Sequence, residues 1–396
     1  MIKKAFFVPI VIVPFLIIRA MAPWLLIRWE NFITHALGHF ALNTELYLCE
    51  RDRNINRPRQ KVVDLPFFGD ARICNSQLSL MWKRTFTVFP AAPLQALEWL
   101  NNKIPGGRGH KIGYNTHNDR DIFNLLATSS AHLSFTEEEE VRGRKFLRSI
   151  GIPEGAPFVC LNVRDSAYYE LIGKDNDKYS HRDSCIENYV MAAEAFVERG
   201  YFVLRMGRAV HQPLVSRKKE IIDYAYRMIG NDFLDVYLGA HCHMCLSTGS
   251  GFDAIPAIFR RPVSFVNLNP IEAPMSSQNY IVYTGRAHFD ATNNKQLTLR
   301  QIIAHDLAWT PSKLRYRKAN ILLKENTPRE ITDVAIETLG RIDGTWRTDS
   351  EGEGLQNLFR QIMPLDSRDP FNRPLHGHFF IRYSETYLKE NKWWLQ

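Results

Sequence analysis

Cysteine is scarce in this sequence, and its few copies are irregularly spaced. Six cysteines in 396 residues are too few for the disulfide framework that holds small secreted domains together. A reducing compartment is therefore favoured. The cysteines are Cys49, Cys74, Cys160, Cys185, Cys242 and Cys245.

Repeats and basic stripes are also missing. No fixed-period repeat or low-complexity tract occurs, which excludes solenoids and propellers. Fifty Lys and Arg against 42 Asp and Glu give a net charge of +8, but the excess is spread along the chain. Nucleic acid is therefore not an expected partner. The charge suits a phosphate-bearing ligand or an anionic membrane surface.

The common catalytic signatures are absent as well. There is no G-x-x-x-x-G-K-S/T loop and no strict G-x-G-x-x-G fingerprint, and without G-x-S-x-G or H-E-x-x-H the hydrolase classes lose their usual support. Residues 241–245 have metal-like spacing but no second Cys or His pair nearby, so zinc is not expected there. Asp175-Asn176-Asp177 matches the Asp-x-Asp of metal-dependent sugar transferases, but it lies in a polar loop and not at the end of an apolar strand.

The chain lacks a long unbroken hydrophobic run. Residues 5–18 are apolar, Arg19 interrupts the run, and it resumes as far as Ile27. A spanning helix needs about 20 apolar residues, and an Arg near its middle costs about 2.5–3.5 kcal/mol. A signal peptide, a spanning anchor, a monotopic or re-entrant anchor and a buried helix all stay open. Trp24 and the flanking arginines suit the headgroup region, so we expect residues 1–29 to associate with a membrane.

The length corresponds to two or three domains at roughly 150 residues each. We expect a first domain over residues 30–151, with weaker strand signals, ending after a helix that Thr136 caps. Residues 152–345 alternate strands with helices, which is typical of a parallel sheet covered on both faces. Residues 346–396 are expected to form a C-terminal tail.

Ligands of such sheets bind beyond the carboxyl ends of the strands. The loops after these strands are therefore where functional residues are expected. The predicted strands of the second domain cover 158–165, 201–207, 244–247 and 262–267, and the predicted helices cover 186–200, 218–230 and 251–259.

The most specific motif is a turn of small residues between a strand and a helix. Gly249 and Gly251 let backbone amides approach an anion, and the hydroxyls of Thr248 and Ser250 add donors. Asp253 is a candidate contact to a ribose or sugar hydroxyl. The alternative is a helix cap, with Ser250 at the cap and Asp253 in the first turn.

Arginines follow two of the predicted strands. Arg164 ends the first, and its planar donors can hold a diphosphate by two parallel bonds; an ion pair within the domain is the alternative. Arg205 and Arg208 flank Gly207 where the chain leaves the sheet, a pattern that predicts phosphate contacts. Asp165 directly follows Arg164.

Other polar residues are candidate substrate contacts. Tyr168 follows the first strand, and His181 and Arg182 lie in the polar loop beyond it. Gly38 and His39 form a turn that opens a helix. His39 is either a base or sugar contact, or a helix-start histidine packed on the sheet.

Together these motifs resemble a group of bacterial glycosyltransferases associated with surface-polysaccharide synthesis. The resemblance covers most of residues 37–303. More distantly, the Ser/Gly turn is similar to the nucleotide-sugar site of heptosyltransferases, and the strand ends that carry Arg are similar to those of fucosyltransferases. The segments that carry the resemblance include GHFALNTELYL (38–48), VRDSAYY (163–169), GYFVLRMG (200–207) and STGSGFDAIPAIFRRPVSFVN (247–267).

The resemblance implies the α/β fold called GT-B, in which two Rossmann-like domains face each other across a cleft. It also implies transfer of a sugar from a nucleotide sugar to a glycan or lipid-linked acceptor, at the cytoplasmic face of the bacterial inner membrane. Such enzymes normally need no metal, so neither metal nor cofactor is expected. An epimerase of similar fold and a non-catalytic membrane-associated assembly protein stay open as alternatives.

The resemblance also assigns roles by position. His39 is the first candidate for the base that deprotonates the acceptor, and Asp165 is the second. Gly38 and Asn43 accompany His39 on the acceptor side. The residues implied on the donor side are Arg164, Arg205, Thr248, Ser250 and Gly251.

Overall fold

The protein is described by a computed structural model that covers residues 2–55, 57–113, 120–173, 177, 179–272, 282–310, 312–363 and 381–396, with side chains from Ile10 onward. The chain forms two compact units. The first comprises Met1–Asp119 and Ser129–Phe135, and the second comprises Arg120–Thr128 and Thr136–Gln396.

The first unit is built around two parallel strands, β1 (Leu25–Asn31) and β2 (Lys61–Phe67). Arg28 lies opposite Asp64 in the register, and the two side chains form a buried ion pair at 2.7 Å. The helices of this unit are α1 (Ile2–Met21), α2 (Leu37–Asp52), α3 (Ser76–Thr85) and α4 (Ala91–Asn101).

Helix α1 packs one side against α4. Val11 and Phe15 are buried there with Leu97, so this side of the N-terminal segment belongs to the core of the unit. Ile10 and Val13 point outward and are 61% and 60% exposed. Within the part of the chain whose side chains are described, no helix is long and apolar enough to cross a membrane.

The first unit is less regular than the Rossmann-like domain expected over residues 30–151. In its described part, only isolated parallel bridges, such as Trp29 to Lys111 and Phe67 to Phe89, extend the β1–β2 pair. Two strands suffice to pack α1 and α4, because a helix layer can cover so small a sheet.

The domain boundary also differs from the one predicted near Gly151. Helices α5 (Leu125–Thr128) and α6 (Glu137–Ser149) both belong to the second unit. Thr136 caps α6 as predicted. The helix is fixed to the second unit because Tyr237 donates a 3.2 Å hydrogen bond to Glu140.

The second unit contains a parallel sheet in the order β12-β8-β7-β6-β3-β4-β5. From β3 the chain adds β4 and β5 on one side, then reverses and adds β6 on the other. The topological switch point therefore lies between β3 and β6, where open parallel sheets bind ligands. The strands are β3 (Phe158–Asn162), β4 (Phe202–Met206), β5 (Ile221–Ile222), β6 (Met244–Ser247), β7 (Val263–Leu268), β8 (Val282–Gly285) and β12 (Arg382–Tyr383).

A small antiparallel sheet and a set of helices complete this unit. The small sheet has the order β10-β9-β11, with β9 (Ala287–Asp290), β10 (Lys295–Gln296) and β11 (Ile321–Lys324). The helices are α7 (Ala167–Leu171), α8 (Val190–Val197), α9 (Asp232–His241), α10 (Ala254–Ile258), α11 (Leu299–Ala304), α12 (Lys313–Lys318), α13 (Pro328–Ile342), α14 (Ser350–Ile362) and α15 (Glu385–Glu390).

The expected parallel α/β sheet of the second half is confirmed. Every residue of β3 is buried, as continuous apolar strands are when helices cover both faces. On one face Val159 and Leu161 pack with Phe196 of α8 and Val334 of α13.

Two expectations for this half are wrong. The predicted helix over 218–230 is absent, because Ile221–Ile222 pairs as β5 and Asp223 then accepts bonds from the amides of Leu214 and Tyr226 at 2.6 and 3.0 Å. Residues 346–396 are not a separate tail. Strand β12 joins the sheet, and Phe359 and Trp394 enter the core.

Candidate functional site

The switch point is held by one buried amide, that of Asn162 at the end of β3. Its Nδ2 donates to the hydroxyls of Ser247 and Ser250 at 2.9 and 2.8 Å. The amide of Thr248 donates to the Asn162 carbonyl at 3.1 Å, and the amide of Arg164 donates to Thr248 Oγ1 at 2.9 Å. The loops after β3 and β6 are thereby fixed against each other.

The turn after β6 has the conformation expected of its small residues. Gly249 has φ +76°, and a Cβ there would lie 2.9 Å from the Leu268 side chain. Gly251 is exposed at the start of the short turn that leads into α10. Helix α10 spans only Ala254–Ile258, so its dipole contributes little, and side chains must supply most of the positive charge.

Asp253 serves as a cap rather than as the sugar contact that was predicted. Its Oδ2 accepts from the amide of Ser250 at 2.7 Å and from the hydroxyl of Ser247 at 2.8 Å. Burial raises the pKa of this carboxyl to about 6. The capping alternative is therefore the one the structure adopts, and the cap shapes the turn.

Three arginines lie at the carboxyl edge beside this turn: Arg164 after β3, Arg286 after β8, and Arg182 in the loop between β3 and α8. We call them the arginine cluster. Arg182 Nη2 donates to the carbonyl of Gly249 at 2.8 Å. Arg286 Nη2 donates to Ser184 Oγ at 2.9 Å and to the carbonyl of Asp183.

Several donors of the arginine cluster are buried without a hydrogen-bond partner among the described residues. They are Nε and Nη2 of Arg164, Nε of Arg182 and Nε of Arg286. Arg164 Nε lies 3.0 Å from Asp183 Oδ1, close enough for an ion pair, but the angle does not make a hydrogen bond. Since buried polar groups nearly always have partners, these donors have capacity left for acceptor atoms at this edge.

The pKa values of the arginine cluster support this view. Burial lowers the pKa of Arg182, and the neighbouring charge of Arg164 lowers it further. Burial also lowers the pKa of Arg286. Crowded, partly desolvated cations of this kind are stabilised by an anion placed between them.

The prediction that Arg205 contacts a diphosphate is wrong. Its side chain is 1% exposed, lies 3.2 Å from Asp223 Oδ2 and donates to the carbonyl of Gln212. Arg205 is the last residue but one of β4, so its side chain lies against the sheet instead of beyond the strand end.

Arg208 is likewise engaged elsewhere. It pairs with Asp232 and, at 3.6 Å, with Asp235 at the start of α9. Gly207 lies in the turn between β4 and this ion pair, and its φ is +147°. The two residues therefore shape the loop after β4, and among the described residues no contact places them in the arginine cluster.

Aromatic side chains border the arginine cluster. The guanidinium of Arg164 lies over the ring of Tyr169, 4.9 Å from its centroid, and Tyr168 packs edge-on against Tyr169. The ring of His181 lies 5.7 Å from that of Tyr316. Tyr168 and His181 thus lie beside the arginine cluster, and their contact to a substrate stays a prediction.

Of the Asp-x-Asp sequence, Asp175 and Asn176 lie outside the described residues. Asp177 is exposed, and its carboxylate pairs with Lys313 at 2.5 Å. The described residue of this motif is therefore engaged in a surface ion pair.

The two candidate bases differ in their surroundings. Both oxygens of Asp165 accept backbone amides, from Ala167 at 2.8 Å and from His211 at 2.9 Å. His39 lies exposed in the first turn of α2 in the first unit, after Gly38. Its Nδ1 is 3.4 Å from Oδ1 of the buried Asn43. Asp165 thus holds a loop, whereas the His39 side chain is exposed.

Sequence reasoning missed Asn162 and Arg286. Arg286 had a detectable signal, because it follows an apolar strand just as Arg164 does, but residues 282–285 were not recognised as a strand. Asn162 had none, since its importance arises from bonds to residues about 85 positions away.

Comparison with solved structures finds weak likenesses to sugar transferases. It is similar to the ADP-heptose LPS heptosyltransferase II of E. coli (13% identity, 61% of this chain and 84% of the other, TM-score 0.31). It is also similar to a family 9 glycosyl transferase of Veillonella parvula (10%, 66% and 86%, TM-score 0.39). A third likeness is to the dodecameric iron-containing heptosyltransferase TibC, solved with ADP-D-β-D-heptose (11%, 81% and 76%, TM-score 0.29). No protein-family model and no curated protein matches.

Proposed function

We propose that the protein is a glycosyltransferase that uses a nucleotide-sugar donor and binds the donor diphosphate at the switch point between β3 and β6. One observation carries the proposal: beside the turn at Thr248–Gly251, buried guanidinium donors of the arginine cluster have no hydrogen-bond partner among the described residues. A diphosphate has several acceptor oxygens and a negative charge, and it therefore matches such donors both in number and in charge.

The same groups suit the reaction as well as binding. When the sugar leaves its donor, the bond from the anomeric carbon to the diphosphate oxygen breaks, and negative charge grows on that oxygen. Fixed cations in a desolvated site stabilise such charge more than they stabilise the ground state. Arg164 and Arg182 are the side chains we assign to this role, so a divalent metal is not required.

The acceptor hydroxyl must lose a proton as it attacks the sugar. We propose that His39 accepts this proton and that Asn43 orients the imidazole ring. If Nδ1 donates to the Asn43 oxygen, Nε2 is the nitrogen that accepts the proton. The acceptor belongs to the glycans or lipid-linked glycans of bacterial surface-polysaccharide synthesis.

We further propose that the outer face of α1 rests on an anionic lipid surface, at the cytoplasmic side of the bacterial inner membrane. Ile10, Val13 and Ile17 are 61%, 60% and 53% exposed on this face, and Trp24 follows at 76%. Cations lie at the end of the helix, where Arg19 donates to the carbonyl of Pro105. Lys103 and Arg108 are exposed in the same loop region. Apolar area together with cations is what interfacial helices use.

Vesicle sedimentation tests this surface. The full chain is expected to bind vesicles that contain anionic lipid, and the combined Ile10→Ser, Val13→Ser and Ile17→Ser variant is expected to bind at least tenfold more weakly. Leu314→Ser, an exposed apolar residue of the second unit, is the matched control. The proposal would be overturned if the triple variant bound vesicles as well as the wild type does. It would also be overturned if the substitutions only abolished self-association of the chain and left vesicle binding unchanged.

The transferase proposal is tested in two steps. A thermal-shift screen with ADP, UDP, GDP and inorganic phosphate is expected to show stabilisation by one nucleoside diphosphate well beyond that by phosphate. Mass spectrometry with the matching nucleotide sugars should then show a glycosylated acceptor. No stabilisation by any nucleotide, or turnover of a nucleotide sugar without an acceptor, would refute it.

A further inference from the structure

A second cluster of reactive side chains lies in the first unit and has no part in the proposed transfer. Glu45 and Cys49 are one helical turn apart on α2 and fully buried. His132 comes from the segment Ser129–Phe135. One ligand atom of each residue lies within 4.8 Å of the others. In the described part of the chain, this is the one group of three or more His, Cys, Asp or Glu residues whose ligand atoms lie this close together.

The distances suit a tetrahedral ion. His132 Nδ1 is 3.0 Å from Glu45 Oε1, and Cys49 Sγ is 3.8 Å from the same oxygen. Ligand atoms around tetrahedral zinc are about 3.3–3.8 Å apart, given bond lengths of about 2.0–2.3 Å. The sulfur–oxygen distance lies in this range, whereas the nitrogen and the oxygen must separate by about 0.3 Å to admit the ion. A set of one nitrogen, one oxygen and one sulfur donor is typical of Zn²⁺, which is intermediate between hard and soft ions.

The far side of His132 supports the same assignment. Its Nε2 lies 2.9 Å from Oδ2 of Asp52, the last residue of α2. Histidines that bind a metal through one ring nitrogen commonly donate the other N–H to a carboxylate, which fixes the ring orientation. Because the His132 side chain keeps 15% of its exposure, an ion can also reach the cluster from solvent.

We propose that Glu45, Cys49 and His132 bind one Zn²⁺ ion, with a water as the fourth ligand and Asp52 as the residue that orients His132. The role we assign is structural. Residues 120–128 and those from Thr136 onward belong to the second unit, so Ser129–Phe135 is a short return of the chain to the first. The ion ties this return segment to α2.

Cobalt substitution tests the site in the full chain, without a polyhistidine tag and stripped with EDTA. One Co²⁺ per chain is expected to bind, with the near-ultraviolet charge-transfer band of a thiolate ligand, and Zn²⁺ is expected to displace it. Cys49→Ser should abolish the band, while the matched control Cys74→Ser should keep it. His132→Gln changes a partly exposed residue, and it should weaken binding at least tenfold.

The opposite results are equally clear. If the wild-type chain binds Co²⁺ without a thiolate band, or if the band survives Cys49→Ser, the assignment is wrong. Should Cys49→Ser fail to fold, His132→Gln decides the matter, because undiminished Co²⁺ affinity in that variant contradicts the site. Zn²⁺ is also expected to raise the melting temperature of the wild-type chain but not that of His132→Gln.

Discussion

Replacing Arg182 by Gln tests the anion site most selectively among single substitutions. Arg182 donates to the carbonyl of Gly249 at 2.8 Å, and its Nε is buried without a partner among the described residues. A hydrogen bond to a charged group is worth about 1.5–3 kcal/mol. Arg182→Gln should therefore weaken binding of the preferred nucleoside diphosphate about tenfold to hundredfold, since 1.4 kcal/mol is a factor of about ten.

The same substitution should leave the stability of the ligand-free protein unchanged or raise it. It removes a crowded cation whose pKa burial and Arg164 already lower, and deleting such a charge relieves desolvation and repulsion. The bond to Gly249, worth about 0.5–1.5 kcal/mol, and the favourable charge interaction with Asp253 are lost in exchange.

Isothermal titration calorimetry and urea denaturation measure the two effects on one preparation. Arg199→Gln is the matched control, because Arg199 is exposed and precedes β4 at the opposite edge of the sheet. An Arg182→Gln variant that binds within twofold of the wild type, or one destabilised by more than about 2 kcal/mol, would refute the reasoning.

Three further predictions follow from other contacts. Arg205→Met should lower the free energy of unfolding in urea by about 3–5 kcal/mol, because it leaves Asp223 buried without its cation. Nucleotide affinity should not change; a stable variant with a large loss of affinity would contradict this. The Asp253 carboxyl has a native pKa of about 6, above its ordinary 3.8, so the folded protein holds a proton that the unfolded chain has released. The free energy of unfolding should therefore fall as the pH rises from about 4 to about 6, by at most about 3 kcal/mol. Asp253→Asn should abolish this pH dependence; a variant with the same pH profile as the wild type would show that the native carboxyl does not have a raised pKa. His39→Gln should lower kcat about 10²–10⁴-fold at unchanged nucleoside-diphosphate Kd, and an unaltered kcat would exclude His39 as the base.

The parts that the sequence predicted well are local ones. Strand β6 and the turn at Thr248–Gly251 follow from an apolar run, small residues and a cap within a few positions, and the structure reproduces all three. Alternation of strands and helices likewise sufficed for the parallel sheet of the second unit. Local pattern is enough where burial on both faces demands a continuous apolar strand.

The errors arise where long-range contacts decide. Arg205 has the same sequence signal as Arg164, an arginine near a strand end, but a difference of one or two positions directs it onto the sheet and towards Asp223. The tail after residue 346 gave no sign that Arg382–Tyr383 would pair with β8. Cysteine and histidine raised the possibility of zinc at residues 241–245, whereas the cluster with suitable geometry joins Glu45 and Cys49 to a histidine more than 80 positions away.

The central claim is that a nucleoside diphosphate binds at the switch point, on the turn between β6 and α10. Hydrogen exchange of the full chain, followed by mass spectrometry with and without the stabilising nucleotide, measures this directly. The nucleotide should slow exchange in peptides that contain Gly249, Ser250 and Gly251 and in those that contain Arg164. Protection that leaves both segments unchanged while it appears elsewhere in the chain would contradict the claim.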